Sequence, residues 1–185
     1  MQNHVALITG APSVGKTTVI KKVAEALKSL GYQVGGMTTE EKREGGMRIG
    51  FQILDLKAQE RGWLARVNQP TGPRIGKYRV NLNDLENIGT EAIQNAIQTA
   101  DVIVIDEIGL MELSSQAFEQ AVLLALDSGK PVLATIHYKA TNAMIRNIKT
   151  RPDAEVFEVT MENRNTVHNL IIEKITKILS RQPKC

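Results

Sequence analysis

Cysteine is nearly absent: the 185-residue chain has a single one, Cys185, at its last position. One thiol excludes an intrachain disulfide framework and favours a reducing compartment. With no histidine beside it, on an expected tail, Cys185 is not read as a nucleophile. Long apolar runs are missing too. Nothing approaches the roughly 20 apolar residues of a membrane span, and the opening MQNHVALITG carries no basic region, long apolar stretch or cleavage site. A cytoplasmic chain without a membrane partner is the expectation. There is no basic run. The net charge of +3 is spread along the chain, so a nucleic-acid partner is not expected, whereas a phosphate-rich small ligand is compatible. The three histidines, His4, His137 and His168, are dispersed without metal-ligand spacing and are read as structural. No internal repeat, low-complexity tract or domain linker is apparent. What is present, 42% hydrophobic and 23% charged residues, suits one globular domain with a proper core.

The apolar run His4 to Thr9 ends at glycine and suits a strand buried on both faces of a parallel sheet. From Gly15 to about Leu30, Val19, Ile20, Val23, Ala26, Leu27 and Leu30 recur at helical spacing, with Gly31 as C-cap. Residues 33–38 read as a second strand, completing a βαβ unit. The stretch from about 40 to 82 differs. It is glycine-rich from Gly45 to Gly76, with strand-like pieces at 48–56, 63–67 and 78–82, and reads as antiparallel ribbons and loops inserted into the α/β frame. Asn83 is expected to cap the next helix, with Glu86 completing a capping box and Leu85, Ile88, Ala92, Ile93, Ala96 and Ile97 as its apolar stripe. Residues 102–105 are a buried strand ending in Asp106-Glu107. Ser114 or Ser115 caps a helix carrying Phe118, Ala121, Val122 and Ala125. A strand over 132–136, a short helix around 140–148, a strand over 155–159 and a helix over 165–179 follow. This alternation predicts an α/β fold: a doubly wound, mainly parallel sheet with helices on both faces.

Residues 10–17, Gly10-Ala11-Pro12-Ser13-Val14-Gly15-Lys16-Thr17, spell G-x-x-x-x-G-K-[ST] in full. Glycines let the backbone curl with its N–H groups inward as an anion nest, and the following helix adds its positive dipole end. Lys16 is placed to reach the β- and γ-phosphates, and the Thr17 hydroxyl to hold Mg²⁺. The motif follows a predicted strand and opens a predicted helix, which makes a chance match implausible.

Four apolar residues precede Asp106-Glu107. An aspartate at the carboxyl end of a buried strand can hold Mg²⁺ through water, opposite Thr17, and the adjacent glutamate can polarise a water. Solvated acids also end strands, so it is the upstream loop that gives this pair its functional reading. The separation leaves room for a strand between the two motifs in the sheet, a hydrolase-type rather than GTPase-type arrangement. Gly109 either lets backbone approach the ligand or is a plain turn glycine. Glu112 reads as a helix N-terminal acid rather than a catalyst. Candidate charge-stabilising cations are Arg43, Arg48 and Arg164, although a mixed-charge run such as 40–48 ordinarily just faces water. Trp63 is read as packing.

Four blocks taken together resemble the small nucleoside-triphosphatase family described from thermophiles, which includes the cancer-related nucleoside-triphosphatase. They are residues 10–18, ending in Thr18; residues 39–51, TEEKREGGMRIGF; residues 104–112, VIDEIGLME; and residues 160–165, TMENRN. Their order and spacing span nearly the whole chain, and the second and fourth are far more particular than the first. The resemblance implies a RecA-like P-loop fold and Mg²⁺-dependent hydrolysis of several nucleoside triphosphates to diphosphate and phosphate. By matched motif it puts phosphate binding at Gly10 to Thr18, with the metal-holding and water-activating acids at Asp106 and Glu107.

The reading is hydrolysis of ATP, GTP and other nucleoside triphosphates, with Lys16 and Glu107 as catalytic residues and a monomer as the simplest state. One rival is a nucleoside or small-molecule kinase, for which Arg146 and Arg151 offer a thin arginine lid. Another is a slow nucleotide-dependent binding module. No base-reading motif stands out.

Overall fold

The computed structural model describes residues 4–139 and 142–181. Cys185 and the expected helix start at Ala140 lie outside the described residues. Five strands form the parallel half of one nine-stranded sheet: β1 (Val5–Thr9), β2 (Val34–Glu44), β7 (Val102–Ile108), β8 (Val132–Ile136) and β9 (Ala154–Glu158), in the order β2-β7-β8-β1-β9. All five residues of β1 and of β8 are buried, as strands covered on both faces require. Among the described residues no helix is long and apolar enough to cross a membrane.

Helix α1 (Lys16–Ser29) and α6 (Val167–Leu179) cover one face. Val19, Val23 and Leu27 of α1 and Ile171 and Ile175 of α6 pack with Ile8, Val104 and Leu133 of the sheet. On the other face α3 (Glu91–Thr99), α4 (Gln116–Asp127) and α5 (Ala143–Lys149) pack Ile93, Phe118, Val122 and Ile145 on Leu7, Ile103 and Ile105. Each such side chain contributes about 1.5–3 kcal/mol of burial. The doubly wound α/β expectation is thus met. Gly31, at φ 89°, ends α1: its N–H donates to Lys28 O and that of Tyr32 to Leu27 O, a Schellman closure.

The antiparallel ribbons over 40–82 continue the same sheet as the parallel frame. Strand β2 leaves β7 after Met37 and continues to Glu44, pairing antiparallel with β3 (Met47–Asp55) across Gly45 and Gly46, at φ 53° and 80°. A two-residue turn with both φ positive matches the strand twist. Strands β4 (Arg61–Arg66), β6 (Tyr78–Val80) and β5 (Arg74–Ile75) extend the same sheet to its edge. The expected strand over 33–38 was too short because the charged run after Thr39 carries no apolar alternation.

Two capping expectations change. Asn81, not Asn83, caps the short α2 (Leu82–Asp84), accepting from Asp84 N–H at 3.2 Å. β6 stops at Val80, so the first residue able to cap is Asn81. A π-helical segment, Leu85–Thr90, then leads into α3. Glu86 closes no capping box; it accepts from Ser115 Oγ at 2.8 Å. Of the two serines weighed, Ser115 caps α4 through Phe118 N–H.

Candidate active site

Strands β1, β7 and β8 run parallel, so the loops after Thr9, Ile108 and Ile136 open along one edge, where ligands bind in such sheets. β8 lies between β1 and β7, the intervening strand expected from the motif spacing. Along this edge lies a cavity of about 1030 Å³, walled by Gly10, Ala11, Pro12, Ser13, Gly15, Lys16, Thr17 and Thr18, by Lys21 of α1, by Glu107, and by residues of β2, β3 and the loop after β8.

The loop geometry follows from its glycines. Gly10 sits at φ 146°, and a Cβ there would lie 2.5 Å from Val159 O, so only glycine fits. Gly15, at φ 117°, turns the chain into α1. Ser13 has φ 62° without being glycine. Val14 points away into the core. Lys16 is 9% exposed, its Nζ donating to Gly10 O at 3.1 Å and Ala11 O at 3.4 Å.

Asp106 is fully buried and does not reach the cavity wall. Its Oδ1 accepts from Thr17 Oγ1 at 3.3 Å and Thr135 Oγ1 at 2.6 Å; its Oδ2 accepts from the Thr39 N–H and hydroxyl, both at 3.4 Å. Burial pushes its carboxyl above the ordinary range, against the hydrogen bonds from Thr135, Thr39 and Thr17. Glu107 lies on the wall, its carboxyl also raised by burial, opposed by the charge of Lys16 and reinforced by that of Asp106. The peptide bond between the two acids is cis.

Arg43 and Arg48 both line the cavity and both pair with Glu41; Arg48 also lies 5.5 Å over the Phe51 ring. Glu40 gathers Lys21, Lys42 and Arg61 at 3.1 to 3.2 Å, and its carboxyl is held down to about 2, chiefly by the Lys21 hydrogen bond. Arg164 stands off the wall, although its side chain comes within 4.0 Å of where a Cβ on Gly15 would lie. Gly109 is off the wall as well, packed between Glu107 and Glu112. Glu112 does open a short 3₁₀ turn, Glu112–Ser114, yet it is buried rather than solvated.

Several site residues escaped the sequence reading: Thr39, Thr135, Lys21, Glu40, Glu41, Phe51, His137, Tyr138 and Lys139. For Thr39 and Thr135 there was a signal, a hydroxyl near the carboxyl end of an apolar strand. Glu40, Glu41 and Phe51 lie in the 39–51 block that carries the family resemblance, though no role followed from it; for Lys21, His137, Tyr138 and Lys139 nothing local marks them. His137 therefore borders the cavity, while His4 pairs with Asp153 at 3.6 Å away from it. Trp63 packs under Arg66. Arg151, weighed as part of a kinase lid, instead ties Asp127 to Asp153 at the far end of α4.

A family model described as NTPase matches residues 5–172. The chain belongs to this NTPase family. It is 48% identical over 176 residues to the nucleoside-triphosphatase THEP1 of Thermofilum pendens, covering 95% of this chain and 97% of that one. It is 48% identical over 166 residues to the THEP1 of Thermotoga maritima, covering 90% and 92%. Among solved structures, THEP1 of Aquifex aeolicus superposes with TM-score 0.82 at 31% identity, covering 92% of this chain and 98% of the other. The human cancer-related nucleoside triphosphatase gives TM-score 0.80 at 40% identity, covering 97% and 100%. This NTPase is accordingly an enzyme that hydrolyses nucleoside triphosphates, on the mostly parallel α/β fold shared with those structures.

Proposed function

We propose that this NTPase cleaves the terminal phosphate of ATP, GTP and other nucleoside triphosphates with Mg²⁺, using the loop 10–18, Asp106 and Glu107. The observation that carries this is the convergence of Thr17, Thr39 and Thr135 on the Asp106 carboxylate beside a cavity floored by the loop.

The residues fit the metal. Mg²⁺ takes hard oxygen donors and usually keeps several waters, bound by one or two protein groups and substrate phosphates rather than by a protein cage. Thr17 Oγ1 and Asp106 Oδ1 provide such a pair. Among the described residues, no group of three or more His, Cys, Asp or Glu could hold a metal by itself, which matches that mode. Bound there, Mg²⁺ would neutralise charge on the β- and γ-phosphate oxygens.

The chain's own part is placement. The loop amides and Lys16 bind the triphosphate tail, with Lys16 leaving the carbonyls of Gly10 and Ala11 for phosphate oxygens. Thr17, Thr39 and Thr135 hold Asp106 in one orientation. Glu107, on the wall, orients a water for in-line attack and takes up its proton as the oxygen bonds to phosphorus and the diphosphate leaves. Arg43 and Arg48, on the hairpin across the cavity, are the cations best placed to meet developing charge. Arg164, near Gly15 but off the cavity wall, is a weaker candidate for that part. A cytoplasmic setting agrees with the single cysteine.

The test is Glu107→Gln. Calorimetry should show the variant binding Mg-ATP as wild type does, while phosphate release falls by at least about 100-fold, the scale of general-base catalysis. Unchanged turnover would remove Glu107 from the reaction.

A further inference from the structure

Glu112 has no part in the hydrolysis as derived, yet its surroundings are unusual for a glutamate on a turn. It is 5% exposed. The chain folds it back towards β7: Leu113 N–H donates to Gly109 O at 3.0 Å, closing the turn from 109 to 113. The missing side chain of Gly109 leaves a gap that two carboxyl groups share. A Cβ built on Gly109 would lie 2.9 Å from Glu112 Oε2 and 3.4 Å from Glu107 Oε1. The two oxygens therefore flank one point, and their separation cannot exceed those two distances placed end to end.

Both carboxyl groups face this one gap, and Glu112 is the more deeply buried of the two. Glu112 is pushed up to about 8, first by burial and then by the charge of Glu107; only backbone N–H groups, its own and that of Gly109, oppose this.

We propose that Glu112 is a positioning residue for hydrolysis: its buried carboxyl braces Glu107 across the gap left by Gly109 and keeps the Glu107 carboxylate aimed at the attacking water. This rests on the NTPase mechanism given above. Kept neutral by its burial, Glu112 can turn an O–H into the gap that it shares with Glu107. No bond to substrate is made by Glu112, and its proton stays with it throughout the reaction.

The experiment compares wild type with Glu112→Gln, Glu112→Leu and Gly109→Ala in steady-state Mg-ATP hydrolysis, with nucleotide affinity from calorimetry and folded fraction from circular dichroism. Glu112→Leu should lower kcat about 10- to 100-fold, the usual effect of removing a group that orients a reacting one, with KM and Kd within about twofold of wild type. Glu112→Gln keeps a neutral donor of the same shape and should stay within about threefold of the wild-type kcat. Gly109→Ala sets a methyl against Glu112 Oε2 and should lower kcat while sparing affinity. A purely structural role would reduce the folded fraction and leave kcat per folded enzyme unchanged; that result overturns the proposal, as does a Gln variant falling as far as Leu. If the Leu variant does not fold, Gly109→Ala decides, and full kcat there overturns it. Wild type that fails to hydrolyse Mg-ATP would sink the mechanism itself, a different outcome from an active wild type with an indifferent Glu112.

Discussion

Burial of Glu112 has a consequence for stability that can be measured without nucleotide or metal. Its carboxyl titrates near 4.5 when solvated and near 8 in the folded chain. The folded state therefore holds this proton more tightly than the unfolded state. The associated stability is fully present below about pH 4.5, declines as pH rises, and is lost once pH passes about 8. Each unit of displacement is worth about 1.4 kcal/mol. The ceiling on the loss is thus about 5 kcal/mol above pH 8 and about 3 kcal/mol at pH 7. Glu112→Gln keeps the shape and removes the titration. It should match wild type near pH 4.5 and become progressively more stable above it. At pH 7 the gain should reach up to about 3 kcal/mol, or about 6–12 °C in Tm for a chain of this size. Urea and thermal unfolding of both proteins between pH 5 and pH 8, free of nucleotide and magnesium, measure the difference. A gap that is flat with pH, or that widens on acidification, refutes the reasoning.

Thr135→Val removes the 2.6 Å hydrogen bond to Asp106; that bond favours the ionised carboxylate, so its loss should move the acid limb of the pH–kcat profile to higher pH and raise the Mg²⁺ needed for half-maximal rate. Lys16→Ala should abolish calorimetrically detectable ATP binding, whereas Lys21→Ala, whose partner Glu40 keeps Lys42 and Arg61, should weaken it by less than about tenfold. Asn81→Ala should cost about 1 kcal/mol in urea unfolding through loss of the cap, and Asn83→Ala a few tenths at most, as expected of an exposed residue outside the cap. Phe118→Ala, at a position with 0% exposure, should cost about 3–5 kcal/mol while leaving the ATP Kd of the folded protein unchanged.

The parallel core was legible because its signals are local. A buried run such as VALIT, or VIVI before two acids, announces itself by composition, and the glycine loop by spacing. Of the β2–β3 hairpin, β3 was legible as the strand over 48–56, but the outer half of β2 was not, because Glu40 to Glu44 carries no apolar alternation and is held by pairing across Gly45-Gly46. The helix start was misplaced by two residues because Asn81 and Asn83 offer the same chemistry, and only the end of β6 decides between them. Lys16, Thr17, Asp106 and Glu107 do come together as expected. Thr39 and Thr135 join them only through tertiary structure, since they lie on β2 and β8, flanking β7 in the sheet. Glu112 shows the opposite failure. It was read as a helix N-terminal acid and opens a short 3₁₀ turn ahead of α4, but its burial depends on the gap at Gly109, which one-dimensional pattern does not reveal.

The distribution of charge explains why the loop, rather than the hairpin, should carry affinity for a triphosphate. Five cations near the cavity already have carboxylate partners: Lys21, Lys42 and Arg61 with Glu40, and Arg43 and Arg48 with Glu41. Drawing any of them to a phosphate breaks an ion pair with a glutamate that faces the ligand, although Glu40 and Glu41 each keep at least one other cation. With its carboxyl held down to about 2, Glu40 stays ionised at neutral pH. Lys16 differs. It is 9% exposed, and the hydrogen bonds it makes are to the neutral carbonyls of Gly10 and Ala11. A buried ammonium held by carbonyls is incompletely compensated, so an arriving phosphate adds the missing charge and breaks no pair with a carboxylate. On the proposed mechanism, binding is concentrated where β1 meets α1. The hairpin arginines, by contrast, would then gain from leaving Glu41 chiefly when charge develops on the transferring group. That is the condition for an interaction to raise kcat rather than merely to lower KM.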